Sequence, residues 1–202
     1  MIRIFRGYCL DHPVDAAMFE DRRRLFHDLM RWDVPIVADR FEIDQFDTDE
    51  ATYVVDVGED GLHRGSIRLL PSTGAHILAD LFPALSDRAV PCGPEIWEIT
   101  RLCLPTRLGA ACRLEVRNRL ISAMVDHALL SGIRTLTGVV RPGFRTSVLA
   151  MGWEAAPLGP VREIGGMALG AFRIEIDEDT PARLIRTGIY TPAPVSAVAA
   201  AA

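Results

Sequence analysis

The stretch GPEIWEITRLCLP, residues 93–105, sets Glu98 and Arg101 inside an apolar run of Ile96, Trp97, Ile99, Leu102, Cys103 and Leu104. A run of this composition reads as a buried strand. Ionised side chains are almost never fully buried unless paired or hydrogen-bonded. Any fold of this chain must therefore bring partners to both residues. Regular alternation would send residues 98 and 101 to opposite faces of the strand. Either a bulge intervenes, or only one of the two faces a common site.

The surrounding pattern alternates strand and helix. IRIF near the N-terminus reads as a strand. From Val14 to Met30 the residues Met18, Phe19, Leu25, Phe26, Leu29 and Met30 recur at helical spacing, and Pro13 and Asp15 suit the helix start. Arg22 lies four residues from both Met18 and Phe26, so it faces inward while Arg23 and Arg24 face water. Residues 32–52 have no steady period and read as a structured acidic loop. A hairpin follows: a strand over Thr52–Val57, a turn marked by Asp60-Gly61, and the returning strand RGSIRLLP. A short helix is predicted around Ile77–Phe82 and a long one over Arg113–Ser131, the latter capped by Gly132. The strand RTLTGVV, a helix over Phe144–Met151 and the strand MALGAFRIEI complete the series. This order predicts an α/β sandwich with helices packed on a mixed sheet.

The chain has 202 residues, which suits one domain, taken as residues 1–190. Residues 191–202, TPAPVSAVAAAA, hold too little large apolar surface to order themselves and are expected to form a flexible Ala/Pro-rich tail. A net charge of -5 gives no surface for neutralising a nucleic-acid backbone. The four cysteines form no CxxC pair and have no histidines at metal spacing, so no metal site is expected and a reducing cytoplasm is favoured. No apolar run approaches the ~20 residues of a membrane span.

The pattern turns eight charged or aromatic residues towards the interior: Arg22, Phe26, Trp32, Asp44, Asp47, Arg68, Glu98 and Arg101. Three arginines against three carboxylates balance in sign, as a desolvated cluster requires. Each residue alone is more simply a structural ion pair or a core aromatic. The series is more specific. Arg22, Phe26 and Trp32 are followed by Asp44-x-x-Asp47, then by Arg68 in RGSIRLLPST and by Glu98-x-x-Arg101 in EITRLCL. From about Phe5 to Ile176 this series resembles the N-acyl-homoserine lactone synthases, the LuxI-type quorum-sensing enzymes.

The resemblance implies an N-acyltransferase-like (GNAT-like) α/β/α sandwich whose mixed sheet is split by a V-shaped cleft. It implies two substrates and no resident cofactor. S-adenosylmethionine supplies the homoserine part, and an acyl thioester on acyl carrier protein or coenzyme A supplies the tail. Acyl transfer to an amine needs an unprotonated nucleophile, and a free α-amino group has a pKa of about 7.7 to 8.0. Glu98 is the candidate base, because burial in an apolar strand raises a carboxylate's proton affinity. Arg22, Arg68 and Arg101 suit the substrate carboxylate or brace the acids with bidentate geometry. Asp44 and Asp47 fix their loop through those arginines or face the sulfonium. Phe26 and Trp32 offer stacking and cation–π contact. Candidates for the acyl pocket are Leu102, Val139, Val140, Phe144, Leu149, Met151 and Trp153.

The chain departs from the family pattern in places. Leu102 stands where many members have phenylalanine. Val140 or Arg141 falls near a threonine linked to 3-oxo-acyl preference, which favours an unsubstituted or otherwise unusual acyl group. Only Arg141 and Arg145 match the basic residues that members present to the acidic carrier, so acyl-CoA stays open as donor. A generic acyl-CoA-dependent N-acetyltransferase of related fold would normally show a glycine-rich pyrophosphate loop opening a helix. RLGAACR before the long helix is not one. A catalytically dead sensor domain would have lost at least one of the six charges, and all are present.

Overall fold

A computed structural model of the chain describes residues 1–191 and 195–197. In chain order the elements are β1 (Ile2–Arg6), α1 (Pro13–Arg22), a π-wound continuation (Arg23–Leu29), β2 (Ile36–Val37), β3 (Phe41–Glu42), β4 (Thr52–Val57) and β5 (His63–Pro71). Then come α2 (Ile77–Asp80), a 3₁₀ turn (Pro83–Leu85), β6 (Ile96–Cys103), α3 (Ala110–Leu130), β7 (Thr135–Val140) and α4 (Pro142–Leu149). The last elements are β8 (Glu154–Pro157), β9 (Arg162–Ile164), β10 (Met167–Glu175), α5 (Thr180–Arg186) and β11 (Val195–Ala197).

The chain divides into two compact units. The first takes residues 1–68, 101–123 and the described part of 192–202. Here β1 runs antiparallel to β4, from Ile2 opposite Asp56 to Arg6 opposite Thr52. The Asp60-Gly61 turn expected from the sequence forms, with Gly61 at φ 75° and the Asp60 carboxylate accepting from Leu62 N–H at 3.0 Å. At Gly65 an added Cβ would lie 2.6 Å from Val116 Cγ1, so this glycine lets β5 and α3 approach closely. Met18, Phe19, Ile2, Val54, Val55, Ile67 and Val116 are buried.

The second unit takes residues 69–100 and 124–191. There β6 pairs parallel with β7, Ile96 to Glu98 opposite Thr135 to Thr137. In turn β7 pairs antiparallel with β10, which pairs with β8 and β9. The sheet is therefore mixed. Leu78, Leu85, Leu169 and Ala171 form a buried cluster, with Phe82, Val139, Leu158 and Met167 packed against it.

Most predicted elements are present, and α3 begins three residues earlier than its apolar stripe suggests. Two differences have physical causes. The first helix is α-helical only to Arg22; beyond it Met30 N–H bonds back five residues to Leu25 C=O at 2.9 Å. This wider winding rotates Leu29 and Met30 off the buried face, and both are exposed. Within the acidic loop, β2 and β3 form a hairpin whose turn residues Ala38 and Asp39 both have positive φ, 50° and 51°. That is type I′ geometry without its usual Asn-Gly signature. Of the segment expected as a tail, Val195–Ala197 pair parallel with β1; residues 192–194 and 198–202 lie outside the described residues.

Candidate active site

The first unit assembles a buried charge network from four elements. Arg22, the last residue of α1, reaches it because the helix turns its apolar stripe inward. Its Nη1 and Nη2 donate to the two oxygens of Asp47, each at 2.8 Å, and its Nε donates to Glu42 Oε2 at 2.6 Å. Arg68, on β5, donates from Nη1 to Asp44 Oδ1 at 2.6 Å and from Nη2 to Asp44 Oδ2 at 3.0 Å. Its Nη1 also lies 2.7 Å from Asp47 Oδ1. Arg101, on β6, donates from Nη2 to Glu42 Oε1 at 2.9 Å and to Asp44 Oδ2 at 2.6 Å.

The Asp-x-x-Asp spacing has a local reason. Asp44 N–H donates to Asp47 Oδ2 at 2.8 Å, Asp47 N–H donates to Asp44 C=O at 3.0 Å, and Phe46 N–H donates to Asp44 Oδ1 at 2.9 Å. The two side chains thus close their own turn while accepting from the arginines. Tyr53 Oη completes the shell of Asp47 at 2.8 Å.

The electrostatics follow from this packing. Burial alone would push the Asp47 carboxyl up, but the Arg22 and Arg68 guanidiniums hold it well below the usual carboxylate range. Burial opposes the charge on Arg22, yet Asp47 and Glu42 outweigh it and raise its proton affinity. Burial, and then the charge on Asp47, push the Tyr53 phenol up.

The sign balance is struck differently from the sequence expectation. Its third carboxylate is Glu42, fully buried, in the place the sequence reading gave to Glu98. Sequence reasoning missed Glu42 because it sits in what reads as loop. A signal was present in FEIDQFD: an extended segment puts residues 42 and 44 on one face.

The alternation problem in β6 is resolved at Arg101, whose φ is 50°. A non-glycine residue in this left-handed region costs roughly 1–2 kcal/mol, and here it breaks the strand's period. Glu98 keeps a strand position and is fully buried. Its Oε2 accepts from Ile77 N–H at 2.7 Å and its Oε1 from Leu78 N–H at 2.8 Å, so it caps the turn that opens α2. Arg101 reaches Glu42 and Asp44 in the first unit; the backbone partners of Glu98 belong to the second.

The aromatics adjoin Arg101. Its guanidinium lies 5.4 Å from the Phe26 ring centroid, and Phe26 stacks on Trp32 at 5.1 Å with 16° between planes. Phe26 is buried and Trp32 half-buried, with its indole N–H unpartnered among the described residues. The acyl-pocket candidates scatter. Val139 packs on the apolar cluster of the second unit. Met151 and Trp153 are buried, and Trp153 Nε1 donates to Val148 C=O at 2.8 Å. Val140 and Leu149 are half-buried and Phe144 is exposed. Leu102, half-buried, belongs to the first unit. Among the described residues no cluster of His, Cys, Asp and Glu is arranged to hold a metal. No helix of the described residues is long and apolar enough to cross a membrane.

A mixed α/β sheet of this kind is the fold of the GNAT-like N-acyltransferases. A Lactobacillus plantarum protein described as an N-acetyltransferase shares it with a TM-score of 0.59 at 14% identity, over 87% of this chain and 99% of that one. Within that fold the chain belongs to the autoinducer synthase family, whose sequence model matches residues 8–184. An acyl-homoserine-lactone synthase of Ralstonia nicotianae is 36% identical over 188 residues, 90% of this chain and 91% of the relative. The crystal structure of TofI in a ternary complex with an inhibitor and MTA aligns with a TM-score of 0.77 at 27% identity, over 92% of this chain and 96% of TofI.

Proposed function

We propose that this chain makes an acyl-homoserine lactone from S-adenosylmethionine and an acyl thioester. Family membership supports this reading. The observation that carries it is the sign-balanced network ending at Arg101, beside the stacked Phe26–Trp32 pair. A substrate bearing an ammonium, a sulfonium, a carboxylate and an adenine ring needs both charges and an aromatic face. Arg101 holds the carboxylate, Phe26 and Trp32 take the adenosine or the sulfonium, and Arg22, Arg68, Asp44 and Asp47 hold that arrangement rigid.

The methionyl amine gives up its proton to Glu98, directly or through one water, and attacks the thioester carbonyl. The N–H groups of Ile77 and Leu78, donating to Oε2 and Oε1, hold the Glu98 carboxylate in place for this transfer. Collapse of the tetrahedral oxyanion expels the thiolate and leaves an amide. The carboxylate then attacks the carbon next to the sulfonium. That C–S bond breaks, methylthioadenosine leaves as a neutral thioether, and the lactone ring closes. No resident cofactor is needed, because both reactants are consumed.

We place the reaction in the cytoplasm, with support from four free cysteines. Either acyl-CoA or acyl carrier protein serves as donor. Arg145 donates inward to Gly159 C=O at 2.9 Å, which leaves Arg141 as the exposed cation of the pair and favours acyl-CoA. The acyl tail lies against the apolar cluster around Leu78 and Val139. Incubating the purified protein with S-adenosylmethionine and a panel of acyl-CoA and acyl-carrier thioesters should release methylthioadenosine. No release with any donor would refute the reading.

A further inference from the structure

From the geometry of the network we infer that Glu42 is a positioning residue for the substrate carboxylate, acting through Arg101; this rests on the synthase reading above. Of the three network arginines, Arg22 and Arg68 are almost wholly enclosed, each with 1% of its side chain exposed, whereas Arg101 keeps 11%. Arg101 is thus the member that reaches solvent and can meet a ligand. Its Nη1 has no hydrogen bond among the described residues, while Nε and Nη2 are both committed to carboxylates. The left-handed backbone at residue 101 aims the side chain but does not fix its rotation.

Glu42 supplies that constraint. Its Oε1 accepts from both Nε, at 3.1 Å, and Nη2, at 2.9 Å, gripping the edge of the guanidinium opposite Nη1. Its Oε2 is bonded to Arg22 Nε at 2.6 Å, and Arg22 is itself locked on Asp47. Glu42 therefore ties the solvent-reaching arginine to one of the two enclosed ones. The type I′ turn of β2 and β3 delivers it to that place. Without this clamp Arg101 would keep only its Nη2 bond to Asp44, a single point about which the guanidinium can turn and present Nη1 over a range of directions.

The test is steady-state kinetics with both substrates varied in the wild type, Glu42→Gln, Glu42→Asp, Arg101→Met and the double variant Glu42→Gln/Arg101→Met. Glu42→Gln should raise KM for S-adenosylmethionine about tenfold and leave KM for the thioester unchanged. Glu42→Asp keeps the charge and should recover most of that loss. In the Arg101→Met background Glu42→Gln should add less than about twofold, because the two residues act in series. Unchanged KM with only the folded fraction or the melting temperature reduced would overturn the inference, as would additive effects in the double variant. Failure of both Glu42 variants to fold would also overturn it, by making Glu42 a residue of the fold. A wild type that releases no methylthioadenosine refutes the synthase reading instead, so the two failures are distinct.

Discussion

In the first unit Asp47 meets two guanidiniums, a phenol and a backbone N–H, whereas in the second unit Glu98 takes the N–H groups of Ile77 and Leu78 on its two oxygens. Both carboxylates are buried. Side-chain partners carry charge, so a network built from them is sensitive to the loss of any member. Backbone partners carry no net charge and cannot be mutated away. They tie the carboxylate to the shape of a turn, and here that turn sets Leu78 into the apolar cluster. The first arrangement suits a site that must hold a charged ligand. The second suits one acid held in place beside an apolar tail.

The largest contrast should appear in turnover. Glu98→Gln is expected to lower kcat by about two to four orders of magnitude if the residue takes the amine proton. Its stability should fall by only about 1–3 kcal/mol, the cost of facing an amide NH₂ with a backbone N–H. A variant that melts early yet turns over normally per folded molecule would reduce Glu98 to a cap. Asp47→Asn should show the reverse emphasis, because it leaves Arg22 and Arg68 with an uncompensated charge. Removing one partner of such a buried set costs about 3–5 kcal/mol. A urea midpoint that hardly moves would mean the network is better solvated than its burial indicates.

Acid should erode the first unit through a second cluster. Burial would push the Asp21 carboxyl up, but bonds from His63 and Arg107 hold it down at about 2, below its ordinary 3.8. A depressed carboxylate stabilises the fold at pH above about 4 and loses that contribution as pH falls towards 2. For Asp21 this amounts to about 2 kcal/mol. His63 works in the same direction from a higher pH, since burial lowers its pKa from 6.5 and favours the neutral ring. Comparing wild type with Asp21→Asn by denaturant titration at pH 7 and pH 3 should show the gap narrowing in acid; an equal gap at both would contradict the assignment. The smallest effect belongs to the aromatic pair. Trp32→Leu should cost about 0.5–1.5 kcal/mol through the lost stack on Phe26. It should also raise KM for S-adenosylmethionine but not for the thioester, and equal changes in both would separate Trp32 from the adenosine.

Arg22 was legible because helical spacing set it on an apolar stripe, and Arg68 because a hairpin signal set the register of its strand. The Asp-x-x-Asp pair was legible from its residue types and spacing. Glu42 was hidden because a two-residue strand leaves too short a period to read, and its turn uses Ala38-Asp39 where glycine is usual. The rotation of Arg101 was hidden because a left-handed arginine inside a strand has no sequence signature. Two partners of Glu98 were hidden for a different reason: the donors on Ile77 and Leu78 are backbone N–H groups, which every residue but proline carries. The π-wound turn after Arg22 left its trace only in Leu29 and Met30, apolar residues that the structure exposes.

In the proposed reaction one molecule of S-adenosylmethionine supplies both the nitrogen and the whole lactone ring, its carboxylate closing onto the carbon it frees from sulfur. Supplying S-adenosylmethionine labelled with oxygen-18 at both carboxylate oxygens tests this directly by mass spectrometry of the product. The lactone should retain both labels, one in the ring and one in the carbonyl, with methylthioadenosine unlabelled. Loss of one label, or an open acyl-homoserine in place of the lactone, would contradict the account.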